Sequence, residues 1–426
     1  MIKHAICDLL SKLGARQLLI GVEGLSSSQL QDFLSQLQRL DPHLLLKQKK
    51  LLLQPPTHNV SQCVPCCHFE RSGNVEDRKE GEELIRQGKV GCLILAGGQG
   101  TRLGIDGPKG IIPVTLIKKK SLFQLFCERT KAASTWAGQE LPLCIMTSQK
   151  NHEQTVEFLK AHHYFGLHPT QLSFFTQEML PFLDDSGNWL LERPGKIAEG
   201  PDGNGNALHH FFKSGLWQQW KEAGVEYLSV IFVDNALADP FDPEFVGLTA
   251  RYQADAALKA VERLSPDEKM GVLAECGGKL KVIEYSEIPS STAPFTLSST
   301  GMFCISMEFI RHFCQDLHAD LPLHLARKKA QVLLGTAKGY VQETANVWKC
   351  ERFIFDLLDY VRTSVVLVCQ REKIYAPLKN AVGDRDLESV QQALLLHDRQ
   401  LYQEVTGKMP PDGAFELDPV FRVTIV

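Results

Sequence analysis

The stretch Leu95-Ala-Gly-Gly-Gln-Gly-Thr-Arg-Leu-Gly104 sets glycines at 97, 98, 100 and 104 around an arginine at 102, and Pro108-Lys109 follows closely. Glycines at this density let a backbone approach a ligand and take torsions that other residues resist. The amides of Gly97, Gly98, Gly100 and Thr101 can then face phosphate oxygens. Arg102 adds a planar fork of donors suited to phosphate, and Lys109 adds a second cation. The chemistry that fits is a phosphate cradle; the bland alternative is a tight turn with two surface cations. A Walker A loop is excluded, because Gly100 is followed by Thr-Arg. The glycine spacing also departs from the dinucleotide fingerprint. Farther on, Asp234 stands just past the apolar run Tyr227 to Val233. A carboxylate there is a hard oxygen ligand suited to Mg2+, or else a helix cap.

These groups need elements to hold them. Val90 to Leu95 reads as a buried strand feeding the glycine loop, and Leu141–Thr147, Leu172–Thr176 and Tyr227–Val233 read as further strands. Helices are expected over Leu122–Lys131 and His152–His163. This alternation argues for an α/β fold, a mostly parallel or mixed central sheet with helices on both faces. Met270–Cys276 and Leu280–Tyr285 read as strands paired through a Gly277-Gly278 turn, and Gly301–Ser306 as another. The spacing predicts a helix over Glu351–Thr363, strands over Val365–Val368 and Lys373–Ala376, a helix over Leu387–Glu404, and edge strands over Phe415–Val426. Near the N-terminus, Ser26 to Ser28 can cap a helix carrying Leu30, Phe33, Leu34 and Leu37.

Bulk properties narrow the function classes. The chain has 426 residues and a formal net charge of -4, with no basic stripe, so nucleic acid and membrane are not expected partners. No signal peptide or membrane span is evident, and a cytoplasmic protein is the simple expectation. Among the 12 cysteines, those in apolar runs read as buried thiols. The order Cys63, Cys66, Cys67, His68 has the ligand types for zinc, but no matching pair exists elsewhere, and ordinary loop or packing cysteines are expected. Lys118 to Lys120 is expected to face solvent, and His152, His162, His163 and His168 lack metal-site spacing.

Together these motifs resemble the signature of the UDP-sugar pyrophosphorylases, closest to the UDP-N-acetylhexosamine branch. The glycine loop with Pro108-Lys109-Gly110 carries the resemblance, in order with Met146-Thr-Ser148, Gln177, Pro201-Asp-Gly-Asn-Gly205, Val233-Asp-Asn235, Ile283-Glu-Tyr-Ser-Glu287 and Ala376-Pro-Leu-Lys-Asn380. It implies the Rossmann-like core of the nucleotide-diphospho-sugar transferases over residues 89–383, an N-terminal helical region and loop over 1–88, and a small C-terminal region over 384–426. It also implies Mg2+-dependent transfer between UTP and a sugar 1-phosphate with release of pyrophosphate. By resemblance, Gly97, Gly98, Gln177 and Gly203 hold the uridine, and Arg102, Lys109 and Lys379 neutralise the phosphates. Asp234 meets nucleotide and metal, while Asn204, Asn235, Glu284, Tyr285 and Ser299 line the sugar. Read alone, Lys379 is a surface lysine, Gln177 a solvent-facing glutamine and Tyr285 a core residue. The family usually carries an asparagine near position 299, so Leu297-Ser-Ser-Thr-Gly-Met-Phe-Cys304 departs from its pattern. N-acetylglucosamine 1-phosphate is the expected sugar, glucose 1-phosphate or a broad range the alternative. A uridine-nucleotide-binding protein without turnover is the alternative of another class.

Overall fold

The computed structural model describes residues 2–54, 62–288, 295–336 and 339–423. The chain divides into two compact units, each assembled from separated stretches rather than from consecutive segments: 1–58, 178–206 and 321–353 form one, and 59–177, 207–320 and 354–426 the other.

The larger unit is built on an 11-stranded mixed sheet. Its main path runs Glu70–Arg71, Ser364–Val368, Ala256–Glu262, Leu297–Ser306, Tyr227–Phe232, Val90–Leu95, Leu143–Ser148 and Leu172–Gln177. Leu297–Ser306 is antiparallel to both neighbours, and every other pairing on this path is parallel. Val90–Leu95 and Leu143–Ser148 are buried along their whole length, which is why they read as continuous apolar runs rather than as alternation. Helices Val75–Arg86, Leu122–Ala137, Pro243–Arg251 and Leu387–Thr406 each start at a side-chain cap, from Asn74, Ser121, Asp242 and Asp386. The Val272–Cys276 and Lys279–Ile283 strands form the expected hairpin, with Gly277 and Gly278 at φ 61° and 77°.

The smaller unit packs the helices Ile2–Lys12, Ser27–Gln38 and Leu44–Leu53 around Phe33, Leu37, Trp189 and Leu191. Ser26 begins the second helix with a full capping box. A hairpin arm of two 13-residue strands, His324–Thr336 and Gly339–Glu351, belongs to this unit.

Several sequence expectations change. Glu351–Thr363 is not an α-helix: only a 3-10 segment, Ile354–Asp359, forms. The Arg352 backbone is already committed, its N–H to Asp202 O (2.7 Å) and its C=O to the amides of Asn204 and Gly205 (both 3.0 Å), so helical bonding cannot begin there. Lys373–Ala376 is not a strand; Arg371–Ile374 makes one helical turn. Phe415–Val426 does not form edge strands either. Pro419–Val423 is a short helix, with proline in its first turn where the missing N–H costs nothing, and residues 424–426 lie outside the described residues. No helix among the described residues is long and apolar enough to cross a membrane.

Candidate active site

The glycine loop, Asp234 and Gln177 all leave the carboxyl ends of parallel strands in the larger unit. Phe232 is in register with Leu95, and the Val233 N–H donates to Leu95 O at 3.2 Å. This edge is where open α/β sheets bind ligands. Ala96 is still tied to the sheet, its N–H donating to Met146 O at 2.8 Å. The next three amides, of Gly97, Gly98 and Gln99, meet no acceptor among the described residues. Gly100 then closes a lobe by donating to Gly107 O at 2.8 Å. Successive unspent amides on a glycine turn are a cradle for an anion or a polar ring.

Gly97 and Gln177 are in direct contact. A Cβ added at 97 would lie 2.3 Å from the Gln177 side chain, so only glycine admits this approach. Gln177 is buried, not solvent-facing. Its carboxamide makes no hydrogen bond among the described residues, so it retains donors and acceptors for a ligand. Gly98 is exposed, with nothing near its missing side chain.

Two lysines converge on Asp234. Lys379 Nζ lies 2.8 Å and Lys109 Nζ 3.3 Å from the same oxygen, Oδ2. Lys109 also donates to Leu378 O at 3.4 Å. Burial pushes the Asp234 carboxyl up, but the two ammonium groups outweigh it and hold it at about 2. Burial likewise pushes Lys379 down, and Asp234 overrides it, leaving that ammonium above its ordinary range. One carboxylate between two cations leaves one net positive charge, a receptor for an anion.

Lys379 arrives through a clamp the sequence did not announce. Asn235 Nδ2 donates to Ile374 O at 2.8 Å, and its Oδ1 accepts from the amides of Ala376 (2.8 Å) and Leu237 (3.4 Å). Leu378 N–H donates to Asp234 O at 2.8 Å. The expected sugar contact at Asn235 therefore meets an amide already committed to three backbone groups. Behind Lys379, its N–H and that of Asn380 donate to Arg385 O, while the Arg385 side chain pairs with Glu268 at 3.1 Å. No motif marks Asn235's clamp, Glu268 or Arg385.

Arg102 and Thr101 are exposed on a 3-10 turn ended by Gly104 at φ 73°. Arg102 makes no ion pair among the described residues. Glu284 precedes the short 3-10 turn Tyr285–Glu287, and Tyr285 is exposed rather than packed in the core. Ser299 lies half-buried in Leu297–Ser306, its Oγ accepting from Gly301 N–H at 3.1 Å. Gly203 and Asn204 belong to the smaller unit. Gly203, at φ 92°, sits so close to Arg352 that a Cβ would come within 2.2 Å of its carbonyl oxygen.

The remaining candidates are structural. Cys63 forms a disulfide with Cys276, 213 residues away, a pairing without a sequence signal. Cys67, His68 and Glu275 come together, but Glu275 Oε1 already accepts the His68 ring (2.9 Å) and the amides of Cys67 (3.1 Å) and His68 (3.4 Å). This carboxylate caps a turn. Lys120, expected in solvent, is buried and paired with Glu128. His152 Nδ1 hydrogen-bonds Thr147 Oγ1 at 2.8 Å.

The family described as UTP–glucose-1-phosphate uridylyltransferase matches residues 55–424. UDP-N-acetylglucosamine diphosphorylase 2 of Arabidopsis thaliana is 36% identical over 335 residues, 72% of this chain and 65% of that protein, so the aligned part falls just short of two thirds of that relative's length. UDP-N-acetylglucosamine pyrophosphorylase of Saccharomyces cerevisiae is 30% identical over 411 residues, covering 89% and 86% of the two chains. Among solved structures, the uridine diphosphate N-acetylglucosamine pyrophosphorylase of Trypanosoma brucei, in complex with an inhibitor, superposes with a TM-score of 0.81 at 25% identity, covering 99% of this chain and 93% of that one.

Proposed function

The chain belongs to the UTP–glucose-1-phosphate uridylyltransferase family, and on that premise we propose that it joins UTP to N-acetylglucosamine 1-phosphate and releases pyrophosphate. The observation that carries the chemistry is the pair of lysines, Lys109 and Lys379, sharing the buried Oδ2 of Asp234. The kinship with UDP-N-acetylglucosamine pyrophosphorylases supports the N-acetylated sugar.

In this reading a phosphate oxygen of the sugar 1-phosphate attacks the α-phosphorus of UTP. The new P–O bond forms as the bond to the bridging oxygen breaks, and the electron pair leaves with pyrophosphate. No side-chain nucleophile is required. Catalysis comes from positioning and from cations aimed at oxygens that gain charge. Lys379 and Lys109 serve the phosphates, and exposed Arg102 meets the distal ones. The free carboxamide of Gln177 reads the uracil edge above Gly97. The loop amides and Thr101 support the nucleotide.

Asp234 suits Mg2+, since that ion takes one or two carboxylates and completes its shell with waters and phosphate oxygens. Bound there, it would neutralise charge on the phosphoryl oxygens. For the sugar we assign Glu284 and exposed Tyr285 to the hydroxyls and Ser299 to the position where an amide is usual in the family. Ser299 favours glucose 1-phosphate as a second reading, in line with the family's description.

Pyrophosphate release from UTP and Mg2+ with N-acetylglucosamine, N-acetylgalactosamine, glucose and galactose 1-phosphates tests the proposal. Turnover led by N-acetylglucosamine 1-phosphate is expected. A lead for glucose 1-phosphate would make Ser299 the specificity marker. UTP binding with no turnover on any sugar would replace the transferase reading with that of a nucleotide-binding protein.

A further inference from the structure

Asn151 stands at the start of the His152–Ala161 helix, carries no motif of its own and is 1% exposed. Its carboxamide is fully used. Nδ2 donates to Ala96 O at 2.9 Å and to Gly98 O at 3.3 Å, while Oδ1 accepts from Ser148 N–H at 2.8 Å and Ser148 Oγ at 3.1 Å. Two donors and two acceptor sites are all a carboxamide has. Ser148 ends the neighbouring strand, so Asn151 ties the glycine loop to the sheet edge beside it.

These bonds bear on peptide orientation. In a planar trans peptide the carbonyl and the following N–H point in opposite directions. Holding the Ala96 carbonyl aims the Gly97 N–H away from Asn151, and holding the Gly98 carbonyl does the same for the Gln99 N–H. Glycine peptides flip easily because no Cβ resists the change, so this loop needs an external restraint. The amides fixed in this way are among those that meet no acceptor within the described residues.

We propose that Asn151 is a positioning residue for the nucleotide. It sets the peptide planes of residues 96–99 so that the Gly97 and Gln99 amides face bound UTP, without touching UTP itself. The inference rests on the proposed UTP site. A merely structural asparagine, closing the Ser148–Asn151 turn, would change stability but would not separate nucleotide binding from sugar binding.

Two variants test this. Asn151→Asp keeps the shape and can still accept from Ser148, but it has no donor for either carbonyl. Asn151→Ser keeps one shorter donor. For each, the UTP dissociation constant by calorimetry, the melting temperature and the KM for N-acetylglucosamine 1-phosphate at saturating UTP are measured. The expected result is a UTP dissociation constant raised about 30-fold in Asn151→Asp, equivalent to about 2 kcal/mol, and several-fold in Asn151→Ser, with the sugar KM within about twofold. If Asn151→Asp fails to fold, the serine variant decides. UTP binding within twofold of the parent in a folded variant overturns the inference, as does a sugar KM that rises in step with the UTP constant. A parent protein that binds no UTP removes the proposed site and the inference with it, an outcome recognisable before any variant is made.

Discussion

The larger unit holds two lysine–aspartate groupings, at Asp242 and at Asp234, and they are built differently. At Asp242, Lys259 pairs one to one; Lys259 is 2% exposed, and Asp242 also caps the Pro243–Arg251 helix by accepting from Phe245 N–H. Charge is balanced and every strong bond is internal. At Asp234, two lysines share one oxygen, and the Lys379 side chain is 38% exposed. That grouping carries a surplus cation and a route to solvent. A balanced pair holds a helix to a sheet, whereas an unbalanced one is ready for an anion.

Removing the lysine from each group gives the widest separation. Lys379→Met should lower pyrophosphate release about 100- to 1,000-fold, with the melting temperature little changed, because Lys109 still faces Asp234. Lys259→Met should instead destabilise the fold by about 1–3 kcal/mol, since it leaves the half-buried Asp242 carboxylate without its cation. Chemical denaturation and initial rates on both variants check the pair. A catalytic defect in a fully stable Lys259→Met protein would break the distinction.

Acid gives the next largest effect. Asp234 ionises at about 2 in the folded chain against an ordinary 3.8. Its contribution to stability is therefore complete above about pH 4 and is lost as pH falls through 2. That contribution is about 2 kcal/mol. Denaturation midpoints between pH 5 and 2 should fall less steeply in Asp234→Asn than in the parent, and an unchanged slope would show that the lysines do not govern this carboxylate.

The smallest effect sharpens the contact beside the charged group. Gly97→Ala should weaken UTP about tenfold, roughly 1.4 kcal/mol, because the new methyl displaces the Gln177 carboxamide rather than any phosphate ligand. Calorimetry with UTP and with pyrophosphate separates the two. The loss should appear with UTP and be absent with pyrophosphate.

The sequence made the sheet legible wherever strands are buried on both faces. Val90–Leu95 and Tyr227–Phe232 announce themselves as short apolar runs, and the glycines after the first mark the loop. The hairpin arm of the smaller unit was not legible. Its strand His324–Thr336 carries Arg327, Lys328 and Lys329 in succession and lacks a clean two-residue alternation. Phe353, Ile354, Leu357 and Leu358 have helical spacing, yet the bonds made by the Arg352 backbone allow only a 3-10 segment. In the site, Lys109 and Asp234 were readable beside their strands, and Lys379 through its motif alone. The duties of Asn235 and Asn151 were invisible, because each binds backbone atoms supplied by distant residues, and a backbone atom leaves no mark in a sequence.

The convergence on Asp234 also bears on how the molecule comes into being. Lys109 lies 125 residues before Asp234, and Lys379 lies 145 residues after it. Such long-range pairings form late, because the intervening chain must be ordered first. During synthesis the glycine loop and its parallel strands can be in place while Lys379 has yet to emerge from the ribosome. A nascent chain at that stage could hold a nucleotide loosely without being equipped to spend it, so activity would switch on abruptly once the segment bearing Lys379 is free to fold.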